Sequence, residues 1–227
     1  MTKISLAKSL AALGISVAIA APSLATENEL NAWGAATASI DASEDVIVWA
    51  EVQTRFTDDA SRLGQLLLRT GLGYRLDKTT QVYAGYAYIN TDPVGPASSD
   101  EHRIWQQLSF RLLGDGKGLT ISGRSRLEQR FVEGSDDMGL RYRQQLRLTA
   151  PMSETVKAVV WTEPFIGLNS TDWGQRNGIN VWRNFVGIAV PLNDNLTLEP
   201  GYLNQYAVRN GEDRIDHVAS ISINTKF

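Results

Sequence analysis

LTISGRSRLEQRF (119–131) and LRYRQQLRL (140–148) are two runs separated by a short polar loop. In the first, Leu119, Ile121, Leu127 and Phe131 share one parity, while Arg124, Arg126, Glu128 and Arg130 share the other. In the second, Leu140, Tyr142, Leu146 and Leu148 oppose Arg141, Arg143, Gln145 and Arg147. A strand sends successive side chains to opposite faces, so each run has one apolar face and one crowded with guanidinium groups. Wound as a helix, the same residues would scatter charge all round, which a helix packed on a core does not do. One such hairpin would suit a soluble sandwich. Here the pattern continues through nearly the whole chain.

Outward from that pair, ten strand-like runs follow one another from Asp45. They cover 46–56, 64–76, 81–89, 103–113, the central pair, 156–168, 179–192, 196–206 and 217–227. Val46, Val48, Ala50 and Val52 share a face in the first run, as do Leu66, Leu68, Leu72 and Tyr74 in the second. Connections alternate short and long, with the longest, 90–101, rich in Asp, Pro, Gly and Ser. Strands of roughly 10 residues alternating apolar and polar, joined this way, predict an all-β fold, an antiparallel transmembrane β-barrel. Asp77, Gly114, Pro151 and Asp194 then mark periplasmic turns, and the longer loops lie outside. Pro164 and Pro200 fall inside runs and cannot donate to a ladder, so each predicts a bulge or bend. The stretch 31–40 (NAWGAATASI) could be a further strand. Because bacterial single-chain barrels have even strand numbers, the reading is ten strands, with 31–40 inside the lumen or at the rim. Twelve strands is the alternative.

At the N-terminus, Lys3 and Lys8 precede an apolar run from Leu10 to Ala21, and Ser23-Leu24-Ala25 offers small residues for cleavage. This predicts a secretory signal over 1–25, since the apolar run is well short of the roughly 20 residues a spanning helix needs. The chain then divides into the signal peptide 1–25, an N-terminal segment 26–44 and an outer-membrane barrel 45–227. Loss of the signal removes two lysines and no acid, leaving 20 basic against 25 acidic groups and a balance of −5. No nucleic-acid footprint follows from that balance. The absence of cysteine excludes a disulfide framework, a thiolate metal site and a cysteine nucleophile.

With the apolar parity on lipid, the inward set is Glu51, Arg55, Arg69, Arg75, Arg103, Arg111, Arg124, Arg126, Glu128, Arg130, Arg141, Arg143, Arg147, Glu163, Arg183 and Glu199. Those are twelve arginines against four glutamates, while the acidic excess falls in loops and turns such as Asp58, Asp59, Asp136 and Asp137. Facing arginines repel unless paired or hydrated. They either stack and pair with carboxylates to fill a narrow barrel, or line a wet, anion-attracting lumen. Gln106, Gln129 and Gln144 fall on the lipid-facing parity and weaken the alternation there. In the last run Ala219, Ile221, Ile223, Thr225 and Phe227 share a face, and the terminal aromatic resembles the insertion signal of bacterial outer-membrane proteins.

The runs EHRIWQQ (101–107), RSRLEQRF (124–131), Arg141-Tyr142-Arg143, Glu163 and EPGYLNQ (199–205) resemble a family of bacterial outer-membrane barrels, the domain of unknown function 2490. The resemblance covers most of the mature chain. It implies a barrel in the outer membrane of a Gram-negative bacterium and carries over no catalytic residue.

Chemistry beyond the barrel has few candidates. Of the two histidines, His102 and His217, each opens a strand at the outer rim, and Ser98 and Ser99 lie near the first. No serine sits in a nucleophile motif, and rim histidines are usually solvated. Asp58-Asp59 and Asp136-Asp137 are too sparse for a metal site. No cofactor is implied. Asp172-Trp173-Gly174 has no repeat to make it a propeller signature. The expected partners are outer-membrane lipid and lipopolysaccharide, and the barrel-assembly machinery during insertion. A non-enzymatic barrel, structural or a small anion-attracting pore, is the leading function. An envelope lipid- or protein-binding component and a rim lipid-modifying enzyme are the alternatives.

Overall fold

The computed structural model describes residues 27–209 and 211–227. The predicted signal segment 1–25 lies outside the described residues. Eleven strands form a closed barrel: β1 (Glu27–Asp41), β2 (Val46–Thr57), β3 (Arg62–Arg75), β4 (Thr80–Thr91), β5 (Ser99–Leu113), β6 (Thr120–Val132), β7 (Gly139–Pro151), β8 (Lys157–Gly167), β9 (Gly178–Pro191), β10 (Leu196–Ala207) and β11 (Arg214–Lys226). Each strand from β2 onward pairs antiparallel with the next, and β1 closes the ring. One end carries the connections 42–45, 76–79, 114–119, 152–156 and 192–195, here the turn end. The other carries 58–61, 92–98, 133–138, 168–177 and 208–213, the loop end.

The alternation explains the wall. Val48, Val52, Leu68, Leu72, Ile104, Leu108, Leu146, Val160, Val186, Ile221 and Ile223 are all solvent-accessible on its outside, a surface that only hydrocarbon would cover favourably. Closure gives every strand two neighbours, so no ladder edge is left to desolvate.

The stretch 31–40 belongs to this wall and is neither in the lumen nor at the rim. Strand β1 pairs antiparallel with β2 and parallel with β11, from Glu27↔Arg214 to Ser39↔Lys226. The barrel therefore begins at Glu27, not at 45, and its strand count is eleven, between ten and twelve. An odd number forces the closing pair to be parallel. Such a seam is possible because parallel ladders also satisfy every backbone group, if slightly less stably per residue. Even-number closure is a regularity of known bacterial barrels, not a requirement of hydrogen bonding.

Both strand-interior prolines interrupt a ladder. Pairing of β7 with β8 lapses between Arg143↔Phe165 and Leu146↔Thr162, opposite Pro164, and the β8–β9 register shifts between Phe165 and Ile166. Pairing of β9 with β10 lapses between Leu198↔Val190 and Gly201↔Gly187, beside Pro200. At the first gap Gln144 Nε2 donates to the Gln145 carbonyl at 3.0 Å, while its Oε1 accepts from Tyr142 Oη at 2.7 Å. The nearby Gln106 and Gln129 amides bond each other at 3.1 and 3.2 Å. The off-pattern glutamines thus satisfy one another and the broken ladder on the outer wall.

Inside, the face is not uniformly polar. Leu67, Ala87, Ile89 and Trp105 form one buried cluster, and Trp33, Val159, Phe185, Leu203 and Val218 another. Trp105 lies across the wall because Gly85 has no side chain, since a Cβ there would fall 2.4 Å from the indole. These clusters thicken parts of the wall.

At the seam, Phe227 N donates to Ser39 O at 2.8 Å, and Asp41 N to Phe227 O at 2.9 Å. Deleting Phe227 removes both rungs, roughly 1–3 kcal/mol together, as well as the terminal aromatic. The truncated chain is expected to yield less heat-modifiable, folded barrel in cell envelopes. Unchanged yield and gel migration would count against an insertion role for this residue.

Candidate functional site

Cross-strand register brings the arginines of β5, β6 and β7 onto one wall. Arg126 faces Arg143, Glu128 faces Arg141, and Arg103 faces Arg130. Three carboxylates hold the stack together, each taking more than one guanidinium. Glu128 accepts from Arg141 Nε at 2.8 Å and Arg143 Nη1 at 2.9 Å. Glu163, reaching in from β8, accepts from Arg143 Nη2 at 3.0 Å and Arg124 Nη2 at 2.8 Å. Glu101 accepts from Arg103 Nε and Arg130 Nε, both at 2.6 Å. Elsewhere Arg69 pairs with Glu51, and Arg147 with Glu199. Aromatic rings carry the guanidinium faces: Arg143 lies 4.1 Å from the Phe165 centroid, Arg126 4.6 Å from Trp105 and Arg130 4.6 Å from Trp173. Stacking and bidentate pairing let arginine be buried where lysine could not be.

Beside this wall runs a cavity of about 1140 Å³. It begins at the loop end among Asn28, Glu29, Asp58, Asp59 and Asp92 and reaches Thr37, Arg147 and Asn224 near the turn end. Its guanidinium side is formed by Arg69, Arg124, Arg143 and Arg147. Opposite lie the small residues of the seam, Ala35, Thr37, Ser220 and Ser222. Their size keeps the space open; the same stretch in leucine or phenylalanine would fill it.

The mouth is shaped by loop packing. Segment 168–177 folds against 133–138, with Trp173 Nε1 donating to Asp137 O and Asp172 N to Asp137 Oδ2, both at 2.8 Å. Gln175, buried, ties the same loop to the Leu140 carbonyl at 3.1 Å. The Asp-Trp-Gly stretch is therefore a loop latch. Arg62 and Arg214 neutralise Asp92 and Glu29 at this mouth. Outside the spanning segments, several carboxyls titrate below the usual carboxylate range. Hydrogen bonds from the Thr79 hydroxyl and amide lower Asp77, the Lys117 and Gly118 amides lower Asp115, and the Tyr206 hydroxyl and Arg209 amide lower Asp213.

Among the residues chosen from sequence, Arg55, Arg69, Arg103, Arg124, Arg130, Arg141, Arg143, Arg147, Glu163 and Arg183 border the cavity. Arg126 and Glu128 are sealed behind them, each 2% exposed. Arg111 belongs to the turn end, where its Nη2 donates to the Lys78 carbonyl at 2.8 Å, and Arg75 likewise holds Glu44 O at 2.7 Å. Two inward acids escape a reading that starts β5 at 103 and β11 at 217. Glu101 and Asp216 are both buried, and both continue the inward parity two residues or fewer beyond those boundaries. The net positive charge of the lumen is accordingly smaller than twelve against four implies. His102 and His217 sit on the outer wall, each with Nδ1 bonded to a tyrosine hydroxyl, Tyr86 and Tyr202 respectively. Among the described residues neither is hydrogen-bonded to a serine.

Residues 30–216 match the sequence profile of a protein family of unknown function, DUF2490. The chain belongs to this family. An uncharacterized protein of Methylorubrum extorquens is 35% identical over 187 residues, covering 81% of this chain and 82% of that protein. Among solved structures, LpxR from Salmonella typhimurium superposes with a TM-score of 0.50 at 10% identity, over 79% of this chain and 83% of that one. A NanC porin matches with a TM-score of 0.48 at 13% identity, over 81% and 92% of the two chains. The fold is that of outer-membrane β-barrels.

Proposed function

We propose that this chain is a non-enzymatic barrel of the Gram-negative outer membrane whose lumen favours small anions. The observation that carries this reading is the continuous cavity along Arg69, Arg124, Arg143 and Arg147, which extends from the loop end nearly to the turn end. A confined positive wall raises the local anion concentration, and arginine-lined pores select for anions. On this reading the loop end is extracellular, the turn end periplasmic, and the apolar wall contacts lipid, with lipopolysaccharide around the loops. The barrel-assembly machinery is its partner during insertion.

A structural barrel is the second reading. It is favoured by the ion-paired stack at Glu101, Glu128 and Glu163 and by the two apolar clusters inside the wall.

Reversal potentials in asymmetric potassium chloride decide. The unmutated barrel is expected to pass chloride in preference to potassium. Replacing Arg124 and Arg147 with glutamine should reduce that preference, since both border the cavity and are partly exposed. Cation preference in the unmutated protein overturns the reading, and absence of any conductance favours the structural barrel.

A further inference from the structure

We infer that Trp33, Arg55 and Arg183 form an oxyanion subsite on the cavity wall, built to hold the carboxylate or phosphate group of a small solute. This rests on the lumen being an anion path and names what that path would bind.

Most arginines bordering the cavity have a carboxylate partner within salt-bridge distance. Arg55 and Arg183 have none among the described residues, and both line the cavity. Neutral amides hold them instead. Arg55 donates to Gln65 Oε1 at 2.7 Å and Gln53 Oε1 at 2.8 Å, and Arg183 Nε donates to Gln205 Oε1 at 2.7 Å. An amide oxygen orients a guanidinium without cancelling its charge. Glu163 is the register partner of Arg183, yet its oxygens serve Arg124 and Arg143.

Both cations lie over the Trp33 ring, and Arg183 also lies 4.6 Å from the Phe165 centroid. Trp33 faces Arg55 across the β1–β2 ladder, and its centroid is 4.1 Å from the Arg55 guanidinium carbon and 4.8 Å from that of Arg183. The two carbons therefore lie within about 9 Å of each other. Trp33 is 5% exposed and borders the cavity, so its ring is a fixed platform for both guanidiniums. Two like charges held together are costly without a counter-ion. A single oxyanion in the cavity relieves that cost, taking forked hydrogen bonds from a guanidinium above the Trp33 ring.

The test is titration calorimetry of the full-length barrel in detergent at low ionic strength. Glucuronate is the carboxylate probe, inorganic phosphate the phosphate probe and glucose the neutral control. At least one anion is expected to bind saturably at one site per barrel, with glucose silent. Which anion binds identifies the solute group. The double variant R55Q/R183Q should weaken that binding roughly tenfold to a hundredfold, the scale of losing charge-assisted hydrogen bonds. Should that variant fail to fold, R55K/R183K keeps the charge but loses the planar fork and is expected to bind more weakly than wild type. Absence of saturable binding by either anion, equal binding of glucose, or unchanged affinity in the folded variants overturns the subsite. Chloride preference without saturable binding overturns the subsite alone, whereas cation preference overturns the lumen reading beneath it.

Discussion

Replacing Glu163 with alanine is expected to destabilise the folded barrel by about 3–5 kcal/mol. The carboxylate is 1% exposed and holds Arg143 and Arg124 together across β6, β7 and β8. Its removal leaves both guanidiniums without their shared carboxylate, and Arg143 keeps only its hydrogen bond to Glu128. Deleting one member of a buried charge network costs far more than the network contributes over an apolar core, because Arg143, 7% exposed at its side chain, cannot regain water even though Arg124 can be hydrated from the cavity. Glu199→Ala is the control. It strands Arg147, which is 28% exposed at its side chain and can be hydrated from the cavity. Urea unfolding in micelles, followed by heat-modifiable migration, should place the Glu163 variant well below the Glu199 variant. Equal stability of the two would mean that the stack is solvated rather than sealed.

A second large effect is expected from single-cysteine labelling, which the absence of native cysteine makes clean. Ser222 borders the cavity on the seam, while Val218 on the same strand is fully buried. Ser222→Cys should react with small aqueous thiol reagents in the folded barrel, and Val218→Cys should not. At Ser222→Cys an anionic methanethiosulfonate should react roughly tenfold faster than a cationic one, because the arginine wall concentrates anions. The same field stabilises the thiolate, but that accelerates both reagents alike, so their ratio isolates the steering. A cationic reagent that reacts faster would contradict an anion-favouring lumen. An unreactive Ser222→Cys would mean the cavity is closed to water at that depth.

These two expectations divide what was readable in the chain from what was not. Alternation in 119–131 and 140–148 already separates a lipid face from an arginine face, because the side-chain period of a strand is fixed by backbone geometry alone. Parity likewise assigned Arg124, Arg143 and Glu163 to the interior. It does not say which arginine meets which carboxylate, since that depends on ladder register between strands far apart in sequence. Arg147–Glu199 spans the barrel interior from β7 to β10, and no local pattern connects them.

Strand 31–40 shows the same division from the other side. Its small residues read as a weak strand because β-propensity registers packing against neighbours, and those neighbours include the last strand of the chain. Once β1 lies parallel to β11, the same small residues explain why the cavity is open. By itself, then, the sequence determined the barrel, its two faces and the residue types available inside, all of which follow from local periodicity. Only the tertiary structure decided the strand count, the pairing of charges and the two arginines beside Trp33 that are held by amides instead of carboxylates. Those depend on closure of the ring, which brings together residues from opposite ends of the chain.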